Sequence, residues 1–151
     1  MSGNHSIRVR PAEPEDMPAL LALSQAWAAE GITYGYLPTG KEEFAGYRCW
    51  VAEAGGEVVG YAGGEVDTAR RDIEIQQAGE RYFELEELYV CPDFRGRGVG
   101  QLLLARVEED ARREGLAKLM LNAANWNHAP LLRFYLREGM TPHSFRMFKR
   151  L

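Results

Sequence analysis

Three glutamates, Glu84, Glu86 and Glu87, lie within a run of apolar and aromatic residues between positions 82 and 90. A carboxylate beside an amine can accept its proton, and deprotonating a lysine-like ammonium at pH 7 otherwise costs about 4–5 kcal/mol. The same carboxylate attracts the ammonium form. The apolar run favours a β-strand, in which side chains alternate between faces. We therefore expect Glu84 and Glu86 on one face and Glu87 on the other, unless a bulge intervenes.

A second chemically distinctive segment, residues 95–101, follows this strand and reads Arg-Gly-Arg-Gly-Val-Gly-Gln. Pro92 cannot continue a central strand, and Leu103, Val107 and Ala111 recur at the spacing of an amphipathic helix. The glycines therefore lie at a helix start, where the first N–H groups have no intrahelical partners. Each charge-assisted hydrogen bond from such a group to a phosphate contributes about 1.5–3 kcal/mol. The segment predicts an anion site.

The identity of the anion is narrowed by two motifs that this segment does not contain. A nucleoside-triphosphate loop needs Gly-Lys-Ser or Gly-Lys-Thr after its glycines, and a dinucleotide-binding loop needs a further glycine where Gln101 stands. The pattern Arg95-x-x-Gly98-x-Gly100, after a strand that ends Leu-x-Val, instead resembles the pyrophosphate signature of the GNAT superfamily of N-acetyltransferases.

This resemblance implies that the chain binds acetyl-CoA. In the family the glycine loop holds the pyrophosphate, and the corresponding residues here are Arg95, Gly96, Arg97, Gly98, Val99, Gly100 and Gln101. The end of the preceding strand offers its backbone to the pantetheine arm and the thioester carbonyl, and its residues here are Leu88, Tyr89 and Val90.

Residues 127–140 also resemble a second GNAT signature, an Asn followed by Phe-Tyr-x-x-x-Gly-Phe. The residues that match it are Asn127, Phe134, Tyr135 and Gly139. The resemblance gives Tyr135 the role of the general acid beside the departing thiolate. Met140 replaces the last Phe, and one extra residue separates Asn127 from Tyr135. Asn125, Asn127 and His128 therefore all stay candidates for the contact with the cofactor.

Candidate bases and substrate contacts come from the strand at residues 82–90 and from a loop near the start of the chain. Counting back from the glycine loop, Glu84 matches the catalytic glutamate of the family's histone-modifying branch, whereas Glu87 lies nearer the reacting centre. Glu86 is a candidate substrate contact. So are Tyr34 and Tyr36, in a loop that in GNAT enzymes often helps to form the acceptor pocket. Half-exposed strand residues and loop packing are the alternative interpretations.

Composition favours a single globular domain, residues 1–151, with 46% hydrophobic residues. No stretch approaches the roughly 20 apolar residues of a membrane span, so we expect a cytoplasmic protein without a membrane partner. The formal charge of −4 argues against binding nucleic acid and suits a cationic substrate. Cys49 and Cys91 are too few for a disulfide framework, and the scattered histidines predict no metal site.

Periodicity predicts the order βααββ and then β, α, β, α, β, with a strand at residues 116–121 and a last one carrying Phe145, Met147 and Phe148. This order resembles the GNAT fold, an α/β (α+β) architecture. The resemblance implies a mixed sheet of six to seven strands, splayed between the fourth and fifth strands and flanked by about four helices. Residues 66–81 form a polar arm that contacts substrate or a second subunit, or is a solvated hairpin.

The function implied is transfer of an acetyl group from acetyl-CoA to a primary amine by direct attack in a ternary complex. The expected acceptor is a cationic small molecule or a peptide or protein amine. The alternative is a non-catalytic acyl-CoA-binding sensor or regulatory module, which would not need Tyr135. Only family habit suggests a homodimer.

Overall fold

The computed structural model describes residues 6–151, and residues 1–5 of the predicted domain lie outside the described part. Its strands are β1 (Ile7–Pro11), β2 (Arg48–Ala54), β3 (Glu57–Thr68), β4 (Arg81–Val90) and β5 (Leu119–Leu121). Its α-helices are α1 (Met17–Glu30), α2 (Lys41–Gly46), α3 (Val99–Arg113) and α4 (His128–Arg137), with short 3-10 turns at Pro14–Asp16 and Pro92–Phe94. Among these helices none is both long and apolar enough to cross a membrane.

The sheet opens between β4 and β5. Its order is β1-β2-β3-β4-β5, antiparallel from β1 to β4, with β5 parallel to β4. The β4–β5 ladder runs only from Phe83 with Leu119 to Leu85 with Leu121. β4 continues along β3 to Val90. In the described residues, positions 86–90 therefore have a strand neighbour on one side only, as expected for strands that splay apart.

Two predictions about the far end of the sheet were wrong. The described residues form five strands rather than six to seven, and residues 140–151 contain no strand. Phe145, Met147 and Phe148, whose pattern predicted that strand, are 74%, 88% and 69% exposed. A terminal strand needs a partner edge of similar length. β5 offers only Leu119–Leu121 instead of the predicted residues 116–121.

Hydrophobic cores lie on both faces of the sheet. In β2, Trp50 and Ala52 enter one core while Val51 enters the other, as the alternation of a strand requires. The α3-side core includes Phe83, Leu85, Leu103, Leu104 and Val107. The α1-side core includes Leu20, Leu23, Phe44, Tyr61 and Tyr89. The sheet is thus covered by α3 on one face and by α1 and α2 on the other.

β4 contains a bulge at Glu86. Gly63 of β3 pairs with Glu87, and the next residue, Gly64, pairs with Leu85. Glu86 is therefore an extra residue with no partner of its own in this ladder.

This bulge changes the face on which the later side chains of β4 lie. Leu85 lies in the α3-side core and Leu88 packs against the same core, although regular alternation would place them on opposite faces. Tyr89 lies in the α1-side core. Glu84 and Glu87, the neighbours of Leu85 and Leu88, are consequently both on the α1 side. The expectation for an unbulged strand, with Glu87 opposite Glu84, does not apply.

Gly64 lets β3 approach the bulge closely. A Cβ at this position would lie against the carbonyl oxygen of Glu84, inside van der Waals contact, and 3.0 Å from the Phe83 ring. A backbone carbonyl within a ladder cannot rotate aside as a flexible side chain can. Only glycine fits here without a shift of β4.

Gly64→Ala is expected to lower the free energy of unfolding by about 1–3 kcal/mol, the usual cost of overpacking. Urea unfolding followed by circular dichroism measures this change. Gly46→Ala is the matched control, because a Cβ at Gly46 meets nothing within 4 Å. The control should keep or raise the stability, and equal stabilities of the two variants would contradict the close approach at Gly64.

Candidate active site

The turn between β4 and α3 presents backbone amides to an open space. Gly98 is the N-cap of α3 with φ of 79°, and the first intrahelical bond runs from Leu102 N to Gly98 O at 3.0 Å. The amides of Val99, Gly100 and Gln101 precede that bond and have no intrahelical partner. A Cβ on Gly98 would meet nothing within 4 Å. The turn therefore has the donors, the space and the helix dipole that suit a diphosphate.

Helix α4 packs against this turn through Phe134. A Cβ on Gly100 would lie 3.5 Å from the Phe134 ring and 4.0 Å from the Val90 side chain, which is ordinary contact distance, so both side chains lie beside the turn. The rings of Phe134 and Tyr135 meet edge to face with centroids 5.0 Å apart. Burial raises the pKa of Tyr135 to about 12, so its hydroxyl stays protonated at neutral pH. The two segments picked out in the sequence are thus neighbours in space.

The Arg95 side chain is engaged within the protein. Its guanidinium donates to the Glu30 carboxylate at 2.9 and 2.7 Å, and its Nε donates to Val90 O at 2.9 Å. Tyr89 also donates to Glu30, at 2.7 Å. Arg95 therefore ties the end of α1 to the end of β4. Arg97, the other arginine predicted to meet phosphate, is exposed and its guanidinium lies 5.0 Å from the centre of the Phe94 ring.

The chain before α4 is joined to the loop after α1. Tyr34 N donates to Ala124 O at 2.8 Å, and Thr33 forms a β-bridge with Asn125. Asn125 Oδ1 accepts from the Asn127 amide at 2.8 Å, and Asn127 is the N-cap of α4. The side-chain oxygen of Asn125 is therefore used locally, whereas the Asn127 side chain makes no cap hydrogen bond.

Glu84 and Glu86 form, with Glu65 and Asp67 of β3, what we call the acidic surface. Burial and then the charges of Glu86 and Asp67 raise the pKa of Glu84 to about 7. Burial, followed by the charges of Glu65 and Asp67, also raises the pKa of Glu86. Across residues 6–151, no ion pair includes any of these four carboxylates. Within this part of the chain, the negative charge of the acidic surface is therefore not offset by a salt bridge.

Glu87 has different surroundings although it lies on the same side of β4. It is only 6% exposed. The Thr39 hydroxyl donates to Oε1, and the Tyr61 hydroxyl donates to Oε2 at 2.6 Å. Burial, with smaller contributions from the charges of Glu43 and Glu86, raises the pKa of Glu87 although these two hydrogen bonds lower it.

The two tyrosines predicted to contact substrate are placed differently. Tyr36 stacks on Trp27 with ring centroids 4.1 Å apart, and its hydroxyl lies 2.6 Å from Ser24 Oγ. Tyr34 is 58% exposed and touches Phe148 edge to face at 5.7 Å. Tyr36 is thus packed onto α1, and Tyr34 is the one that solvent reaches more freely.

Comparison with known proteins decides the family. Residues 15–140 match the model of the Acetyltransferase (GNAT) family. The chain belongs to this family. The matched region contains the turn at Gly98, the acidic surface and Tyr135, so both sequence signatures lie within it.

Solved structures confirm the GNAT fold that the signatures implied. An aminoglycoside N-acetyltransferase in complex with CoA superimposes with a TM-score of 0.71 over 100% of this chain and 98% of its own. The sequence identity is 17%, a level at which the likeness shows the fold alone.

Curated relatives match this chain over part of their length. The aminoalkylphosphonate N-acetyltransferase of Salmonella typhimurium is 44% identical over 68 residues, which are 45% of this chain and 44% of that protein. The thialysine N-epsilon-acetyltransferase of Bos taurus is 38% identical over 47 residues, 31% of this chain and 28% of that protein. The matched segment is thus less than half of either relative.

Several residues that shape this GNAT site have no signal in the sequence. They are Ser24, Glu30, Thr39 and Tyr61. The partners of Thr39 and Glu30 lie 48 and 65 positions away, at Glu87 and Arg95. Local spacing cannot reveal contacts of that range. The 66–81 arm was visible in the sequence, but its contact with the chain before β5, where Lys118 meets Glu80 at 2.7 Å, was not.

Glu84 is expected to titrate with a pKa of about 7, measured by carbon-13 NMR of the glutamate carboxyl groups. Glu86→Gln removes a negative charge that contributes to this shift, which favours the ionised form and lowers the pKa of Glu84. Glu57→Gln, at the exposed end of the β2–β3 hairpin, is the control and should leave it unchanged. A wild-type pKa near the ordinary glutamate value of 4.5 would contradict the described surroundings of Glu84.

Proposed function

We propose that the chain is an acetyl-CoA-dependent N-acetyltransferase that acetylates a primary amine by direct attack in a ternary complex. One observation carries this proposal. The turn at Gly98 follows the end of β4, the helix that carries Tyr135 packs beside that turn, and Glu84 and Glu86 lie on β4 at the place where its pairing with β5 ends. Membership of the GNAT family supports it, since an anion site, a protonated phenol and a base are the groups that such a transfer needs.

The cofactor would be held by backbone more than by side chains. The amides of Val99, Gly100 and Gln101, assisted by Arg97, would bind the pyrophosphate of CoA. The backbone of residues 88–90, on the side that β5 leaves open, would pair with the pantetheine arm and donate an N–H to the thioester carbonyl. Acetyl-CoA, when bound, supplies an activated acetyl group.

Glu84 is the proposed base. Its pKa of about 7 suits a group that must be ionised at neutral pH and still basic enough to take a proton. An acceptor ammonium with an ordinary pKa of about 10.4 would first be attracted by the acidic surface and then lose its proton to Glu84.

Tyr135 is the proposed hydrogen-bond donor to the departing sulfur. Its pKa of about 12 lies above that of a thiol, about 8.5, so full proton transfer to the thiolate is unfavourable. A hydrogen bond that strengthens as charge develops on the sulfur avoids this cost.

The acceptor is proposed to be a cationic small molecule or a peptide or protein amine. Four carboxylates without ion pairs favour a positively charged ligand over a neutral or anionic one. The thialysine relative, named for acetylation of an N-epsilon amine, agrees with this class. Aminoalkylphosphonates, the substrates named for the other relative, carry a phosphonate anion that the acidic surface would repel.

The protein is expected to release free thiol from acetyl-CoA in the presence of amines, fastest with those that carry a further positive charge. A thiol-trapping assay over a panel of mono- and dicationic amines measures this rate. Because charges separated by more than about 8 Å are screened at physiological salt, raising the ionic strength should raise the acceptor KM. No release above background with any amine would contradict the proposal.

Tyr135→Phe serves as the control in this assay. It should lower kcat by about 10²-fold while calorimetry shows unchanged CoA affinity. CoA binding without any turnover in the wild type would instead favour a non-catalytic acyl-CoA-binding module.

Gly98→Ala is expected to weaken CoA binding by about tenfold in calorimetry. An L-residue at its φ of 79° costs about 1–2 kcal/mol, so the turn relaxes away from the geometry that aims its amides at one point. Gly79→Ala is the control, because it introduces the same backbone strain, at φ of 87°, in the 66–81 arm rather than in the turn. It should leave CoA affinity unchanged. Equal CoA affinities of all three proteins would refute the assignment of this turn.

A further inference from the structure

Glu87 belongs to a closed ring of hydrogen bonds. The ring consists of Ser24, Tyr36, Thr39, Tyr61 and Glu87. Thr39 and Tyr61 bond the two carboxylate oxygens, Tyr61 and Tyr36 hydroxyls lie 3.4 Å apart, and the Tyr36 hydroxyl lies 2.6 Å from Ser24 Oγ. The Thr39 amide closes the ring by donating to Ser24 Oγ at 2.7 Å. The ring joins α1, the loop before α2, β3 and the bulge of β4.

The hydrogens of the ring can be assigned in one consistent direction. Ser24 Oγ accepts from the Thr39 amide and donates its own hydrogen to Tyr36. Tyr36 then donates to Tyr61, and Tyr61 donates to Glu87 Oε2. The Thr39 hydroxyl donates to Glu87 Oε1. Each hydroxyl hydrogen has an acceptor, and the Glu87 carboxylate is the acceptor at which both branches end.

Burial separates Glu87 from any ligand in the open part of the site. Ser24, Thr39, Tyr61 and Glu87 are 0%, 5%, 0% and 6% exposed. Glu84 is half-buried on the same side of β4, and no hydrogen bond is among the causes that shift its pKa. A base has to reach the amine, and burial keeps the Glu87 oxygens, each of which already accepts a hydrogen bond, away from the open part of the site.

We propose that Glu87 is a positioning residue that holds the loop of residues 32–40 on the sheet and so shapes the wall of the acceptor site, while Glu84 takes the acceptor's proton. This assignment rests on the proposed acetyltransferase function. It gives Thr39, Tyr61 and Ser24 the same role, as the groups through which Glu87 acts.

The loop that the ring holds also pairs with the chain just before α4. Tyr34 N bonds Ala124 O, and Trp27 Nε1 donates to Thr33 Oγ1 at 2.9 Å. Loss of the ring would leave the end of the loop near Thr39 without its bonds to Ser24 and Glu87. The loop should then open more often, and the acceptor should bind more weakly before the chemical step is affected.

Hydrogen exchange of the whole protein, followed by mass spectrometry, tests the ring without a need for activity. Thr39→Val removes the buried hydrogen bond from the loop to Glu87, and Glu87→Gln replaces its charged acceptor with a neutral one. Each variant should therefore speed exchange in residues 32–40 by about tenfold. Thr39→Ser keeps the hydroxyl and should exchange as the wild type does. Glu86→Gln, next to Glu87 but outside the ring, should also leave loop exchange unchanged.

Steady-state kinetics with an amine from the thiol assay then separates positioning from proton transfer. Thr39→Val and Glu87→Gln should raise the acceptor KM about tenfold and lower kcat by less than about threefold, and Thr39→Ser should restore the KM. A loss of about 10²-fold in kcat for Glu87→Gln, with loop exchange unchanged, would overturn the proposal and make Glu87 the base. Tyr61→Phe, which fills the same volume, gives the same comparison if Glu87→Gln folds poorly.

The two proposals fail in different ways. If the wild type acetylates no amine, the proposed function is wrong, and the exchange experiment still decides whether Glu87 holds the loop. If the wild type is active and loop exchange is the same in Thr39→Val, Thr39→Ser and wild type, the role of the ring is wrong and the proposed function stands.

Discussion

The site depends on one extra residue in β4. Without the bulge at Glu86, Glu84 and Glu87 would lie on opposite faces, and one carboxylate would enter the α3-side core, where an unpaired charge is strongly unfavourable. With the bulge, both carboxylates are on the α1 side. A bulge also bends its strand and increases its twist. This agrees with the β4–β5 ladder, whose last pair, Leu85 with Leu121, comes just before the bulge. Gly64 makes the close approach opposite the bulge possible.

The two carboxylates then differ through their partners rather than through their position in the sequence. Glu87 gives up its hydration and receives two hydroxyl donors in return, so its oxygens are occupied and its place is defined. Glu84 loses part of its hydration beside Glu86 and Asp67, and no cation among residues 6–151 pairs with it, so its pKa rises to about 7. One strand therefore carries a carboxylate suited to holding structure and another suited to titration near neutrality.

Short-range patterns were enough to predict the elements that carry the two signatures. The strand before Pro92, the glycine turn and the amphipathic α3 were recognised because proline, glycine and a 3.6-residue period act locally. The bulge was not located, because a run such as residues 82–90 shows the same apolar pattern with or without an extra residue. The strand expected at Phe145 and Met147 was wrong because alternation reports a tendency to pair and not the presence of a partner edge.

Helix α1 connects the two halves of the site. Ser24, Trp27 and Glu30 recur every three residues and therefore share one face of the helix. Ser24 belongs to the ring around Glu87, Glu30 binds Arg95 beside the glycine turn, and Trp27 stacks between Tyr36 at 4.1 Å and Tyr89 at 5.4 Å. The helix face that bonds Arg95 beside the glycine turn is therefore also the face that contacts the 32–40 loop. Packed side chains on α1, in addition to the sheet, thus connect the turn at Gly98 with the 32–40 loop.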